Sequence, residues 1–106
     1  MSEPQLLLQT TVGQEADAHR LAEHAVAQRL AACVHIEPIC SVYRWQGQVQ
    51  HDSEWRLGFK TTATRLPELV AALRAIHPYE LPSLYTLAAE PATVEWRRWV
   101  DGACMG

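Results

Sequence analysis

The chain has 106 residues, a formal charge of −3 at pH 7 and a hydrophobic fraction of 48%. This length accommodates one hydrophobic core, and no linker rich in Gly, Ser or Pro divides it, so residues 1–106 are predicted to form a single domain. The negative charge and the lack of a basic run argue against a nucleic-acid surface, which needs lysines and arginines to contact phosphates.

The amino-terminal segment and the cysteines indicate the compartment. Residues 1–8 carry no basic stretch, and their apolar run stops at Gln9, so we expect neither a signal peptide nor a membrane span. Three cysteines, an odd number, fit a reducing compartment. Cys33 and Cys40 lie roughly 23 Å apart if the chain between them is extended, too far to pair. We therefore predict a cytoplasmic protein that does not contact membranes.

The first third of the chain reads as a strand followed by a helix. A short buried strand is predicted over Leu6–Val12, and a helix begins near Glu15 and runs to about Ala32. Glu15 and Asp17 place negative charge in the first turn, where the helix dipole favours it. The apolar residues of this helix recur every three or four positions and are mostly alanines, which predicts close packing on a sheet.

The middle of the chain predicts two long strands joined by a tight turn. Residues 33–45 alternate in polarity, with an interruption at Pro38 that marks a bulge or an edge. Gln46 and Gly47 supply positive φ for a hairpin turn, and the return strand runs from Gln48 to about Thr62. Strands of about thirteen residues extend roughly 40 Å, past the edge of a domain of this size.

The protruding end of this hairpin predicts self-association. It is predicted to expose the aromatic residues Tyr43, Trp45 and Trp55. An exposed strand pair with such side chains promotes aggregation unless something covers it. We therefore predict that other copies of the chain pair with it or pack on it.

The last third predicts a helix, a strand and a further helix. The helix runs from about Arg65 to Ile76 and ends before Pro78, because proline cannot continue it. Residues 83–89 form the last core strand, and a short amphipathic helix follows Pro91.

That final helix is predicted to place Trp96, Trp99 and Val100 together, to direct Arg97 and Arg98 outward, and to end in a frayed segment over residues 101–106. The whole order is that of an α+β, ferredoxin-like β-α-β-β-α-β sandwich with a long central hairpin and an added C-terminal helix.

Four blocks resemble a known family. In chain order they are Leu30-Ala31-Ala32-Cys33 with Glu37-Pro38, Ser41-Val42-Tyr43-Arg44-Trp45-Gln46-Gly47, Lys60-Thr61, and His77-Pro78-Tyr79-Glu80-Leu81-Pro82. Together, from about Leu6 to Val100, they resemble the CutA divalent-ion tolerance family. The resemblance implies the same fold, a closed homotrimer with interlocked sheets, and a non-enzymatic protein that binds copper or another divalent metal ion.

Two pairs of side chains are candidate metal ligands. His77 and Glu80 lie in a turn stiffened by two prolines, where an imidazole and a carboxylate are held in restricted geometry. Cys33 and His35, two apart on a strand, point to the same side about 6.5 Å from each other. The structural alternatives are that His77 only caps backbone carbonyls and that Cys33 is a small buried residue beside a hydrogen-bonded histidine.

The family resemblance also shows two departures at the metal candidates. Its members use a histidine of this turn as a copper-type ligand, sometimes with a cysteine late in the first strand or a second histidine before the turn. The corresponding positions here are Thr10 and Ile76. These residues weaken a thiolate-based copper site and leave a weak site that draws ligands from three subunits.

Four residues of the hairpin are candidates for binding a ligand between subunits, namely Tyr43, Trp45, Glu54 and Lys60. The resemblance places several of them at intersubunit clefts. For the aromatic pair the alternative is interface packing, which favours rings with one buried end and one polar end. Glu54 and Lys60 either form an ion pair between subunits or contact an anionic ligand.

No phosphate-binding loop, serine elbow, Cys-x-x-Cys pair or H-E-x-x-H helix occurs, so no enzyme is predicted. The first hypothesis is a trimeric divalent-cation tolerance protein. The second is a sensor similar to the trimeric PII proteins, which binds a nucleotide or small anion between subunits. The third is an assembly partner that recruits other proteins, since fold analogy does not settle function.

Overall fold

The computed structural model describes residues 3–105 and shows an α+β chain with one four-stranded sheet and three helices in that range. The sheet has the order β2-β3-β1-β4, and every pair of neighbouring strands is antiparallel. The elements are β1 (Gln5–Val12), α1 (Glu15–Ala27), β2 (Cys33–Trp45), β3 (Gln48–Thr62), α2 (Leu66–Ile76), β4 (Tyr85–Ala88) and α3 (Val94–Ala103). The predicted element order is confirmed.

The β2–β3 hairpin extends far beyond the rest of the sheet. β1 pairs with β3 only up to Val12 opposite Trp55, whereas the hairpin continues to Trp45 opposite Gln48. We call residues 39–54 the hairpin overhang. The molecule measures 47 × 24 × 20 Å, which confirms the predicted protrusion. The turn itself has φ of 51° at Gln46 and 76° at Gly47, the left-handed geometry that two-residue hairpins prefer.

The hydrophobic core lies between one face of the sheet and helices α1 and α2. Strand residues of this face alternate with those of the opposite face, as the pleat requires. The fully buried core side chains include Leu8, Val12, Leu21, Leu57, Phe59, Leu69 and Leu73. The register places Leu7, Gln9, His35, Arg56 and Lys60 on the opposite face, which we call the open face.

The predicted end of α1 near Ala32 is wrong, because the helix stops in a left-handed turn at Arg29, whose φ is 58°. The Arg29 N–H donates to the carbonyl of Val26 over 3.1 Å. The Leu30 N–H donates to the carbonyl of Ala25 over 2.9 Å, which completes a Schellman motif. Leu30 is buried but lies beyond the helix.

The C-terminal helix is longer than predicted. It continues to Ala103, and Cys104 is buried against Ala32 and Val100, so residues 101–104 are not frayed. Gly106 lies outside the described residues. Trp96 and Trp99 stack on each other with ring centroids 4.9 Å apart, and both remain exposed.

Two further expectations for this end of the chain are corrected. Arg97 does not point outward, because its guanidinium donates to the Glu3 carbonyl over 3.0 Å and to the Glu90 carboxylate over 2.9 Å. Arg98 is exposed as predicted. The last strand covers only Tyr85–Ala88, and all four residues are exposed, since it forms an edge of the sheet. No helix in residues 3–105 has the length and apolarity needed to cross a membrane.

Candidate functional site

A cleft of about 1020 Å³ lies where the hairpin overhang passes the end of β1. The step arises because β1 stops at Val12 while β2 and β3 continue, and the turn after α2 closes its other side. The two prolines of this turn, Pro78 and Pro82, both line the cleft. Other lining residues include Thr11, Ser41, Tyr43, Trp45, Glu54, Arg56, Tyr79, Glu80 and Leu81.

A hydrogen bond between Tyr79 and Glu54 ties the turn to the overhang. The Tyr79 hydroxyl donates to Glu54 Oε2 over 2.6 Å, and Glu54 is only 7% exposed. Burial and this hydrogen bond raise the pKa of Tyr79 well above its ordinary value of 10.0. A Cβ placed on Gly13 would lie 3.3 Å from the Tyr79 hydroxyl oxygen, so the absence of a side chain there lets the ring approach β1.

The far wall of the cleft is aromatic. Tyr43 and Trp45 are 40% and 42% exposed, so part of each residue is accessible from the cleft. The Tyr43 hydroxyl donates to a carboxylate oxygen of Asp52, and this hydrogen bond raises the pKa of Tyr43. Register pairing places both rings on the same face as Glu54, as the predicted alternation requires.

The charge of the cleft is predominantly negative. Glu54 and Glu80 line it, and the only lining cation among the described residues is Arg56. Arg56 Nε donates to the Glu37 carboxylate over 2.9 Å, so its charge is already matched by a residue outside the cleft.

His77 faces β1 rather than the cleft. Its Nε2 lies 3.0 Å from the hydroxyl of Thr10, and its Nδ1 accepts the N–H of Tyr79 over 3.0 Å. An Nδ1 that accepts a hydrogen bond holds the lone pair of a neutral imidazole, and the proton then lies on Nε2. Burial lowers the pKa of His77 from 6.5, and a hydrogen bond with the Thr11 backbone offsets this only partly.

The Cys33 and His35 pair lies on the open face, away from the cleft. Cys33 is opposite Lys60 in the strand register, and the Lys60 ammonium donates to His35 Nδ1 over 3.2 Å. His35 is exposed and Cys33 is partly buried. Among the described residues, the Lys60 ammonium is therefore the only group that donates a hydrogen bond to His35 Nδ1.

The structure thus divides the predicted site residues into separate places. Tyr43, Trp45, Glu54 and Glu80 share the cleft, whereas His77, Cys33, His35 and Lys60 lie outside its lining. Residues 3–105 contain no group of three or more His, Cys, Asp or Glu side chains positioned around one metal ion. The contact that sequence reasoning missed is Tyr79 with Glu54; the only sequence signal for it was a tyrosine fixed between two prolines.

The fold and the cleft define a class: α+β chains with a four-stranded antiparallel sheet, a protruding central hairpin and a carboxylate-lined cleft at its base. The sequence matches the family described as CutA1 divalent ion tolerance protein over residues 6–103. The chain belongs to this family, which confirms the resemblance of its four sequence blocks.

Individual relatives agree with this assignment. The divalent-cation tolerance protein CutA of Thermus thermophilus is 41% identical over 85% of this chain and 88% of its own. That of Thermotoga maritima is 36% identical over 90% and 94%. The solved structure of CutA from Synechococcus elongatus has a TM-score of 0.94 and 40% identity, and covers 98% of this chain and 93% of its own.

Proposed function

We propose that this chain is a divalent-cation tolerance protein that works as a homotrimer, binds divalent metal ions such as copper weakly and catalyses no reaction. The observation that carries the proposal is the family match over residues 6–103. The strand order β2-β3-β1-β4 supports a ferredoxin-like assignment of a single domain. Three free cysteines support a location in the cytoplasm.

Assembly is supported by the surface of the hairpin overhang. Val42 and Val49 are 65% and 58% exposed, and among the described residues no third strand pairs with the overhang. Covering such a surface with identical copies removes its apolar area from water. Light scattering coupled to size exclusion tests this: the trimer requires three times the chain mass of 11.9 kDa, and a monomer at micromolar concentration contradicts it.

The proposal of weak rather than tight metal binding is supported by the hydrogen bonds of the two candidate histidines. Binding at His77 has to displace a main-chain N–H, whereas binding at His35 has to displace only the Lys60 ammonium. Cys33 and His35 fit a divalent metal as two donors, and further ligands have to come from neighbouring copies.

Isothermal titration with copper and with zinc tests the metal proposal on the assembled protein. The heats should decrease in Cys33→Ser and His35→Ala and change less in His77→Ala. The matched control is His24→Ala, an exposed histidine on α1 that belongs to neither candidate pair. Heats that stay unchanged in all three site variants would remove these residues from any metal site.

A second function, a small-molecule sensor, is favoured by one observation, the cleft of about 1020 Å³. Pockets of this size hold organic ligands. The cleft disfavours the nucleotide or anion expected of a PII-like sensor. It is lined by the carboxylates of Glu54 and Glu80, and the charge of Arg56 is neutralised by its ion pair with Glu37.

A further inference from the structure

We propose that the cleft at the base of the hairpin overhang binds a small organic cation, a molecule that carries a protonated amine or a quaternary ammonium group. This inference goes beyond the proposed metal function, because Glu80 is the only metal candidate that lines the cleft. The proposal rests on the second function, the small-molecule sensor, but its ligand is a cation and not the anion expected from the sequence.

The size of the cleft favours an organic molecule over a bare ion. A volume of about 1020 Å³ matches sites for organic ligands, which are roughly 300–1,000 Å³. A bare metal ion requires several donors within about 2.6 Å of one point. The described part of the chain offers no such group of three ligands.

Glu54 supplies a buried negative charge with one oxygen to spare. Its Oε2 accepts the Tyr79 hydroxyl, and its Oε1 has no hydrogen-bond partner within residues 3–105. In that range no buried side-chain oxygen is both sealed from solvent and unpartnered. The Oε1 atom of this 7% exposed residue therefore opens toward the cleft that Glu54 lines. A carboxylate in this position is a strong acceptor for an ammonium group.

The neighbouring charges leave Glu54 without a compensating cation. Arg56 is held by Glu37 over 2.9 Å. Glu80 is exposed on the rim and forms no hydrogen bond or ion pair with another described residue. A bound cation would thus supply charge that the protein itself does not.

The aromatic side chains provide the second element of cation recognition. Tyr43, Trp45 and Tyr79 all line the cleft, and the hydroxyls of both tyrosines are held by carboxylates, Asp52 and Glu54. These hydrogen bonds hold the two tyrosine rings in place, and Tyr43 and Trp45 are 40% and 42% exposed. Ring faces attract ammonium groups through the quadrupole, most strongly for tryptophan.

The test compares choline with its neutral isostere 3,3-dimethylbutan-1-ol, which has the same shape without the charge. Titration of the assembled 106-residue protein is followed by ligand-observed NMR and by calorimetry. Choline should bind about tenfold or more tightly than the isostere, a difference of the size expected for a desolvated charge contact. Citrate, an organic anion, should not compete.

Three variants locate the binding. Glu54→Gln should weaken choline binding about tenfold, and Trp45→Leu about threefold or more. Because Glu54 is buried, Glu80→Gln serves as a variant of an exposed rim residue, with a smaller loss expected. The matched control is Glu95→Gln, an exposed carboxylate on α3 that should leave binding unchanged.

Equal affinity for choline and the isostere would overturn the proposal, as would tighter binding of citrate. A lack of choline binding at tens of millimolar would overturn it too. So would an affinity that is the same in Glu54→Gln and Glu95→Gln. None of these results bears on copper binding by Cys33→Ser or His35→Ala, so the metal proposal stands or fails separately.

Discussion

Replacing Tyr79 with phenylalanine measures how strongly the turn after α2 is tied to the hairpin overhang. The change removes one hydroxyl and leaves the ring. Its partner Glu54 is 7% exposed and accepts no other hydrogen bond from a described residue, so the variant leaves a buried carboxylate unpaired. Hydrogen bonds to charged groups contribute about 1.5–3 kcal/mol, and we expect Tyr79→Phe to lower the free energy of unfolding by that amount per chain.

Two further variants separate this bond from other effects of removing a hydroxyl. In Glu54→Gln the amide oxygen still accepts from Tyr79, so the free energy of unfolding should fall by less than in Tyr79→Phe. In the variant that combines both changes, the fall should be at least about 1 kcal/mol smaller than the sum of the falls in the two single variants. The matched control is Tyr85→Phe, whose exposed hydroxyl donates to the neutral side chain of Gln9; its loss should be about 0.5 kcal/mol.

Urea denaturation followed by circular dichroism supplies the measurement. All variants are compared at one protein concentration, so that any dependence of stability on self-association is the same for each of them. If Tyr79→Phe loses no more stability than Tyr85→Phe, the bond to Glu54 does not hold the turn in place.

Three further predictions concern other parts of the molecule. Arg29→Gly should raise the free energy of unfolding by about 0.5–1 kcal/mol in urea denaturation, since glycine adopts φ of 58° without strain; an equal gain in Arg29→Ala would contradict this reason. Because the pKa of His77 is lowered in the folded state, the unfolded state binds more protons below pH 6.5. Stability should therefore fall as the pH drops below 6.5, by at most about 1.4 kcal/mol per pH unit, and denaturation curves at several pH values should show a smaller fall in His77→Gln. Burial raises the pKa of the Cys104 thiol, so an aromatic disulfide reagent should label exposed Cys40 long before Cys104 in the native protein; equal rates would show that the C-terminal helix opens readily.

The regular elements were predictable because their signals are local. Alternating polarity and the Gln46-Gly47 turn gave both hairpin strands their observed bounds, Cys33–Trp45 and Gln48–Thr62. The end of α2 was predictable from Pro78, because a proline disfavours helical geometry in the residue before it. The end of α1 was missed because Arg29 occupies the left-handed position where glycine is the usual signal, and the apolar pattern continues to buried Leu30.

Contacts between distant segments were not predictable in the same way. The orientation of Arg97 depends on the carbonyl of Glu3, more than ninety residues away in the chain. The candidate site shows the same limit: four of its predicted residues share the cleft, but the bond of Glu54 to Tyr79 joins two segments whose proximity no local pattern encodes.

The sequence by itself determined the order of the elements, the length of the hairpin and the stiffness of the turn between Pro78 and Pro82, because each follows from backbone preferences and polarity within a few residues. Only the tertiary structure decided how that turn is used. It directs His77 toward Thr10 on β1 and Tyr79 toward Glu54 in the cleft. These two orientations depend on where β1 ends relative to the overhang. The position of that end is set by strand pairing across the whole sheet.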